Sequence, residues 1–264
     1  MNFFEKIGSV ILNTAKDVGD VMRLFGDTIY WLIAGPFKGK IAKRDGIFYQ
    51  MVFVGIGSLV IALFVAFFTG IVIAMQSAYQ LARFGANIYV APMVAVSLTR
   101  ELGPVLTALV VTGRVGAAIA AELGTMKVSE QIEALETMAL NPVRFLVVPR
   151  FLALLIMLPC LTVIADLVGI FGGFLVGVFN LQLDPYRYIT FSFKYMTWKD
   201  VYTGLIKSVT FAVIISMIGC RMGLNTKGGA EGVGKATTLS VVTSFILIIL
   251  FDCIWTGIFY FAGK

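Results

Sequence analysis

Hydrophobic positions along this chain repeat in two ways. One pattern marks a single helical face and the other fills whole helices. Over residues 3–32, apolar residues recur at Phe3, Ile7, Val10, Ile11, Val18, Val21, Met22, Phe25, Ile29 and Leu32, the spacing of one face of an α-helix. Lys6, Asn13, Lys16, Asp17, Asp20 and Arg23 take the other face. So many charges exclude a bilayer crossing. They predict a helix lying in the membrane interface with Tyr30 and Trp31 at headgroup depth, although an amphipathic helix packed on protein satisfies the same pattern. Gly35-Pro36 ends this helix, and Lys38, Lys40, Lys43 and Arg44 form a basic hinge.

The runs that follow are apolar on all sides, and five are long enough to cross a core that needs about 20 residues per helix. The first covers residues 47–75, with Gly55, Gly57 and Gly70 permitting close helix approach and Gln76 and Tyr79 at its far end. The second covers residues 89–124, which at ~1.5 Å per residue overruns a ~30 Å core. It must tilt, project into water or kink, and Gly103-Pro104 offers the kink. Thr112, Gly116, Ala120 and Gly124 then recur every fourth residue as a small-residue ridge for a neighbouring helix. The third span, residues 145–179, is interrupted by Pro149 and Pro159 and carries Gly169, Gly172, Gly173 and Gly177. The fourth and fifth cover residues 201–220 and 236–261.

The connections differ in character. Residues 127–140 read as a short polar helix, with Ser129 as its cap, Glu130 and Glu133 favouring its positive end, and Ile132, Leu135, Met138 and Ala139 as a narrow apolar face. Residues 180–200 read as a polar, aromatic-rich loop, and residues 221–235 as a glycine-rich loop. The expected fold is an all-α integral membrane protein. An interfacial helix and hinge occupy residues 1–46, and a five-helix membrane domain occupies residues 47–264.

Composition agrees: 59% of the 264 residues are hydrophobic, against about 45–50% in soluble domains. The continuous runs favour helices over a barrel, whose strands alternate. The net charge of +6 reports topology before it reports nucleic acid, and none is expected as a partner. Fourteen Lys and Arg fall on the side of the N-terminus and five on the other, counting residues 1–46, 114–150 and 221–235 against the remaining connections and the C-terminus. The N-terminus is therefore expected in the cytoplasm and the C-terminus opposite. No short apolar core with a small-residue cleavage site opens the chain, so no cleavable signal is expected.

Candidate chemistry is sparse. Histidine is absent and no CxxC pair exists, which removes the commonest general base and metal ligand. Cys160, Cys220 and Cys253 sit in apolar runs and read as buried small residues. Arg100, Glu101, Asp166, Lys207 and Asp252 fall inside spans, where a charge costs at least ~2.5 kcal/mol and needs a partner. Arg100 and Glu101 are sequence neighbours that do not face each other on a helix. Asp252 or Asp166 is the expected partner of Arg100, and Lys207 that of Glu101. The set reads either as a structural ion network or as a polar patch that binds a lipid headgroup. The Gly228–Lys235 stretch lacks the spacing of a phosphate loop, so no ATP site is visible, and ATP-driven work would need a separate ATPase subunit.

The stretches SLTRELGPVLTALVVTGRVGAAIAAELGTM, EQIEALETMALNPVRFLVVPR and LVGIFGG resemble the MlaE (YrbE-type) permeases of ATP-binding-cassette lipid transporters, and the likeness covers nearly the whole chain. It implies a homodimer in a Gram-negative inner membrane. The implied partners are a cytoplasmic ATPase carrying ATP and Mg, often a small STAS-domain protein, and a periplasmic MCE-domain ring. The implied cargo is glycerophospholipid moved between inner and outer membranes, which maintains outer-membrane lipid asymmetry. The resemblance places a lipid cavity at the dimer interface near Met75, Gln76, Tyr79 and Phe84, with Arg100 and Glu101 deeper. It assigns Arg100, Glu101, Lys207 and Asp252 to a charged cluster, and residues 127–141, through Glu130, Glu133, Ala134, Leu135 and Met138, to ATPase coupling. No catalytic residue, metal or cofactor is implied for this chain. The residues leave two rivals open: an ion-coupled secondary transporter using Glu101 and Asp252, and a membrane-embedded lipid-modifying enzyme.

Overall fold

The computed structural model describes residues 3–37 and 44–260, and every regular element among them is helical. The hinge lysines Lys38, Lys40 and Lys43 lie outside the described residues. In chain order the helices are α1 (Phe3–Phe37), α2 (Arg44–Ala82), α3 (Asn87–Val128), α4 (Gln131–Thr137), α5 (Val143–Phe179), α6 (Pro185–Tyr195), α7 (Trp198–Leu224) and α8 (Gly229–Tyr260). Five of them, α2, α3, α5, α7 and α8, are long and apolar enough to cross a membrane.

Glycine decides how the spans pair. A Cβ at Gly172 would run into the Phe67 carbonyl, and one at Gly70 into the backbone of Gly169, so α2 and α5 touch backbone to backbone. The ridge on α3 performs as expected. Thr112, Gly116, Ala120 and Gly124 are all buried, and α7 answers with its own small residues. A Cβ on Gly223 would lie 3.0 Å from the Ala120 carbonyl, and one on Gly219 3.4 Å from the Gly116 carbonyl. Val111, Val115, Ile119 and Leu123 of α3 meet Leu154 and Leu158 of α5 and Phe211 and Ile215 of α7 in one buried core. Polar ties hold the helices as well. Arg150, almost fully buried, donates to Glu122 Oε2 at 2.6 Å and to the Leu146 carbonyl. Arg221 pairs with Asp17 and Asp20 of α1.

Several expectations change. Of the three cysteines read as buried, only Cys220 is; Cys160 and Cys253 are exposed. Around Gly103-Pro104, the candidate kink, α3 stays helical through wide π turns at Leu98–Leu102 and Thr112–Gly116. Pro104 has no N–H to give and its ring crowds the carbonyl four residues back, and the extra residue in the preceding turn absorbs both effects. Pro159 does not interrupt α5; the helix gives up one backbone bond and is held by Leu158 and Leu161, both buried. Residues 180–200 are not a loop but carry α6. Asp184 caps it, accepting from the Arg187 N–H at 2.9 Å, and Pro185 occupies its first turn. The 221–235 loop shrinks because α7 runs to Leu224 and α8 begins at Gly229. The turn between them uses Gly228 (φ 89°) and Gly229 (φ 68°), a region of backbone space that glycine enters without penalty. The 127–140 helix is only α4. Ser129 does not cap it, because it closes the end of α3 instead, its hydroxyl donating back to the Thr125 carbonyl at 2.8 Å.

Candidate functional site

Three helices bring the charged residues together by simple periodicity. On α7, Asp200, Thr203 and Lys207 stand at i, i+3 and i+7. On α8, Asp252, Thr256 and Tyr260 stand at i, i+4 and i+8. Each set shares one helical face. The π turn of α3 supplies Arg100 and Glu101, its altered rotation letting both neighbours reach α7 from adjacent positions.

Lys207 is the centre of this cluster and is 0% exposed. Its ammonium pairs with Glu101 Oε2, lies 2.8 Å from Asp252 Oδ1, and donates to Thr256 Oγ1 at 2.8 Å. The Thr256 hydroxyl in turn has Glu101 Oε1 at 3.0 Å and the Asp252 carbonyl at 2.9 Å within donating reach. An isolated ammonium in such a place would be prohibitively desolvated, and three oxygens at hydrogen-bond distance compensate it. Beside it, Arg100 Nε donates to Asp200 Oδ1 at 2.5 Å. The Asp200 Oδ2 accepts from the backbone N–H and the hydroxyl of Thr197, closing the capping box that starts α7. The Tyr260 ring lies 5.0 Å from the Arg100 guanidinium, within cation–π range.

The expected pairing of Glu101 with Lys207 is therefore found. The expected partner of Arg100 is not: it is Asp200, which the sequence reading placed outside the fourth span. Asp166 sits on α5 against Gly103, where a Cβ at residue 103 would overlap its carboxyl. Asp252 belongs to Lys207. Although Lys207 and Asp200 are fully buried, Arg100 is 35% and Glu101 33% exposed. One edge of the network is thus open, with the Arg100 guanidinium and the Glu101 carboxylate side by side.

The other singled-out residues fall elsewhere. Met75, Gln76, Tyr79 and Phe84 are exposed along and just past the end of α2, and Arg83 bonds the Tyr79 hydroxyl at 2.9 Å. In the single chain they make an open face, not the wall of an enclosed cavity. On α4, Ile132 is buried and Leu135 is half-buried against the main core. Half of the expected apolar face is thus used within the chain, while Ala134 on α4 and Met138 and Ala139 just past its end are exposed. Glu133 pairs with Lys127, and that bond holds its carboxyl below the ordinary glutamate range. Glu130 and Ala139 flank α4 at φ 57° and 58°, left-handed conformations that cost a non-glycine residue about 1 kcal/mol or more each.

One cation was not singled out from the sequence. Arg114, in the second π turn of α3, donates to the Phe53 carbonyl at 3.0 Å and to Ser58 Oγ at 3.1 Å, over the bare Gly57. The signal was an arginine within an apolar run facing a glycine-bearing span. Among the described residues, no group of three or more Cys, Asp or Glu is placed to hold a metal ion.

Residues 47–258 match the family model described as Permease MlaE. The chain is 46% identical over 261 residues to a probable ABC transporter permease protein of Rickettsia typhi, covering 98% of each. It is 43% identical over 213 residues to a probable ABC transporter permease protein of Synechocystis, covering 81% of each. It is 35% identical over 265 residues to the intermembrane phospholipid transport system permease protein MlaE of Haemophilus influenzae, covering 100% of this chain and 99% of that one.

Proposed function

This chain belongs to the MlaE permease family, and we propose that it is the membrane-spanning subunit of an ATP-binding-cassette transporter that moves glycerophospholipid between inner and outer membranes, sustaining outer-membrane lipid asymmetry. The observation that carries the reading is the half-open charge network. Arg100 and Glu101 are each about one-third exposed, while Asp200 neutralises the first and Lys207, itself paired with Asp252, neutralises the second. A zwitterionic or anionic headgroup meets its hydrogen-bonding needs there, and apolar helix surface takes its acyl chains.

In this reading two copies of the chain sit in the inner membrane with N-termini cytoplasmic and C-termini periplasmic. Helix α1 lies along the membrane surface with Phe25 and Ile29 packed on the main core, and the five spans form the permease domain. Met75, Gln76, Tyr79 and Phe84 line a lipid cavity that the second copy completes. ATP and Mg belong to a separate cytoplasmic ATPase that docks on α4. An MCE-domain protein receives or supplies lipid on the far side, and a STAS-domain protein joins the ATPase. ATP binding closes the ATPase pair and shifts α4, and with it α3 and α5, which flank it directly in the chain. Transport requires that lipid bind the two resulting states unequally. The Lys127–Glu133 tie between α3 and α4 gives that motion a short path. The reading is tested by expressing the chain with its neighbouring genes, purifying it in mild detergent, and identifying co-purifying proteins and lipids by mass spectrometry. A stoichiometric ATPase with retained phospholipid supports it, and recovery of the chain alone contradicts it.

A further inference from the structure

Helix α6 has three distinct sides, and two of them are already accounted for by the protein. Tyr188 and Ser192, one turn apart, are buried. The Tyr188 ring packs edge-on against Phe174 at 5.6 Å and lies over Gly173 and Gly177 of α5. Burial pushes the Tyr188 hydroxyl above the ordinary tyrosine range. On the neighbouring side Phe191 and Tyr195 close on Tyr89 at the start of α3. The third side carries Tyr186, Ile189 and Phe193 at i, i+3 and i+7, all exposed, Tyr186 at 79%. Arg187 and Lys194, also i and i+7, flank this apolar strip, both exposed. No acid occurs within Pro185–Tyr195, and the Asp184 carboxylate is engaged at the cap.

The position of α6 is fixed by its neighbours. Span α5 ends at Phe179 and span α7 begins at Trp198, so both short tethers hold α6 at one membrane boundary. At the start of α7, two residues after α6, Trp198 (88% exposed), Val201, Tyr202 and Leu205 border an open groove of about 450 Å³ with Lys199 in its lining. We propose that α6 lies in the membrane–water interface and binds the lipid surface itself, with Tyr186, Ile189 and Phe193 entering the headgroup–acyl boundary and Arg187 and Lys194 meeting lipid phosphates. Aromatic rings flanked by basic side chains suit that zone because one end of each group is apolar and the other wet. The tethering of α6 between two spans and the basic charge of Arg187 and Lys194, neither of which forms a salt bridge among the described residues, select a lipid surface over a protein partner. Through Met196, whose sulfur lies 3.5 Å from the Thr99 hydroxyl, and through Thr197 and Asp200, this anchored helix abuts the turn that presents Arg100 and Glu101.

The test places nitroxide labels on the full chain after its three cysteines are replaced by alanine. Single substitutions Tyr186→Cys, Ile189→Cys, Phe193→Cys, Arg187→Cys and Lys194→Cys are reconstituted in nanodiscs of phosphatidylethanolamine and phosphatidylglycerol. Collision with oxygen, which partitions into lipid, is compared with collision with a water-soluble nickel chelate. The ratio is expected to favour oxygen at 186, 189 and 193 and the nickel chelate at 187 and 194. Equal access of the nickel chelate to all five positions overturns the proposal. Shielding of 186, 189 and 193 from both agents in the co-purified assembly also overturns it, in favour of a protein cover. These side chains point outward, so if one variant fails to elute as monodisperse protein, the other two on the same strip give the same reading.

Discussion

Asp200 at the start of α7 accepts a hydrogen bond from Arg100 of α3 at 2.5 Å while its second oxygen caps the helix through Thr197. One fully buried carboxylate thus fixes both where α7 begins and where the Arg100 guanidinium points. Arg100→Ala strands that carboxylate. Deleting one member of a buried pair costs ~3–5 kcal/mol, and partial exposure of Arg100 sets the loss near the lower end. Thermal unfolding in detergent, followed by size-exclusion chromatography, should show a lowered midpoint for Arg100→Ala. The double variant Arg100→Ala/Asp200→Asn should recover part of it. A double variant no more stable than the single one contradicts this assignment.

The α2–α5 contact makes a second prediction. Gly172→Ala places a methyl against the Phe67 carbonyl, backbone that cannot swing away, and overpacking of this kind costs about 1–3 kcal/mol. Gly113 faces open space, with nothing within 4 Å of a Cβ built there. Gly113→Ala should therefore leave the unfolding midpoint close to that of the native chain. Equal midpoints for the two variants would show that the helices do not meet through their glycines.

On α4 the two apolar residues separate. Leu135→Glu should lower the stability of the chain itself, since Leu135 packs on the core. Met138→Glu, at a 61% exposed position, should leave stability intact and weaken retention of the ATPase in pull-downs. Ala139→Gly should raise stability by up to about 1 kcal/mol by relieving a left-handed alanine. If Met138→Glu retains the ATPase at full stoichiometry, docking is elsewhere.

The Lys127–Glu133 tie gives a pH dependence. The folded carboxyl titrates below its ordinary value of 4.5, so its contribution is fully present above that value and is lost as pH falls through the depressed one. The difference in local protection of α4 between native chain and Glu133→Gln, measured by hydrogen exchange, should be constant near neutrality and vanish in acid. A difference that grows on acidification contradicts the assignment.

Much of this was legible beforehand because bilayer physics leaves few options. Twenty-residue apolar runs gave the spans, small residues at every fourth position marked a close-packing face on α3 without naming its partner α7, and lone charges in apolar runs gave four members of the network. What escaped depends on three-dimensional detail. Asp200 lies in a polar stretch with Asp184, Arg187 and Lys194, and nothing local marks it as buried until α7 is seen to start at Trp198. The π turn at Leu98–Leu102 has no sequence signature beyond the proline after it, and it changes which way Arg100 points. Helix α6 was hidden because its aromatic and apolar residues are spread over three sides and leave no single apolar face.

The central claim, ATP-driven movement of phospholipid through this chain, is tested most directly in vesicles carrying the co-purified permease and ATPase with a fluorescent phospholipid. Lipid transfer should require ATP and fall sharply in Glu101→Gln, which keeps size and hydrogen bonding but removes the charge facing Lys207. Transfer that proceeds without ATP or without the ATPase, or that is unchanged in Glu101→Gln at equal protein level, would contradict the account.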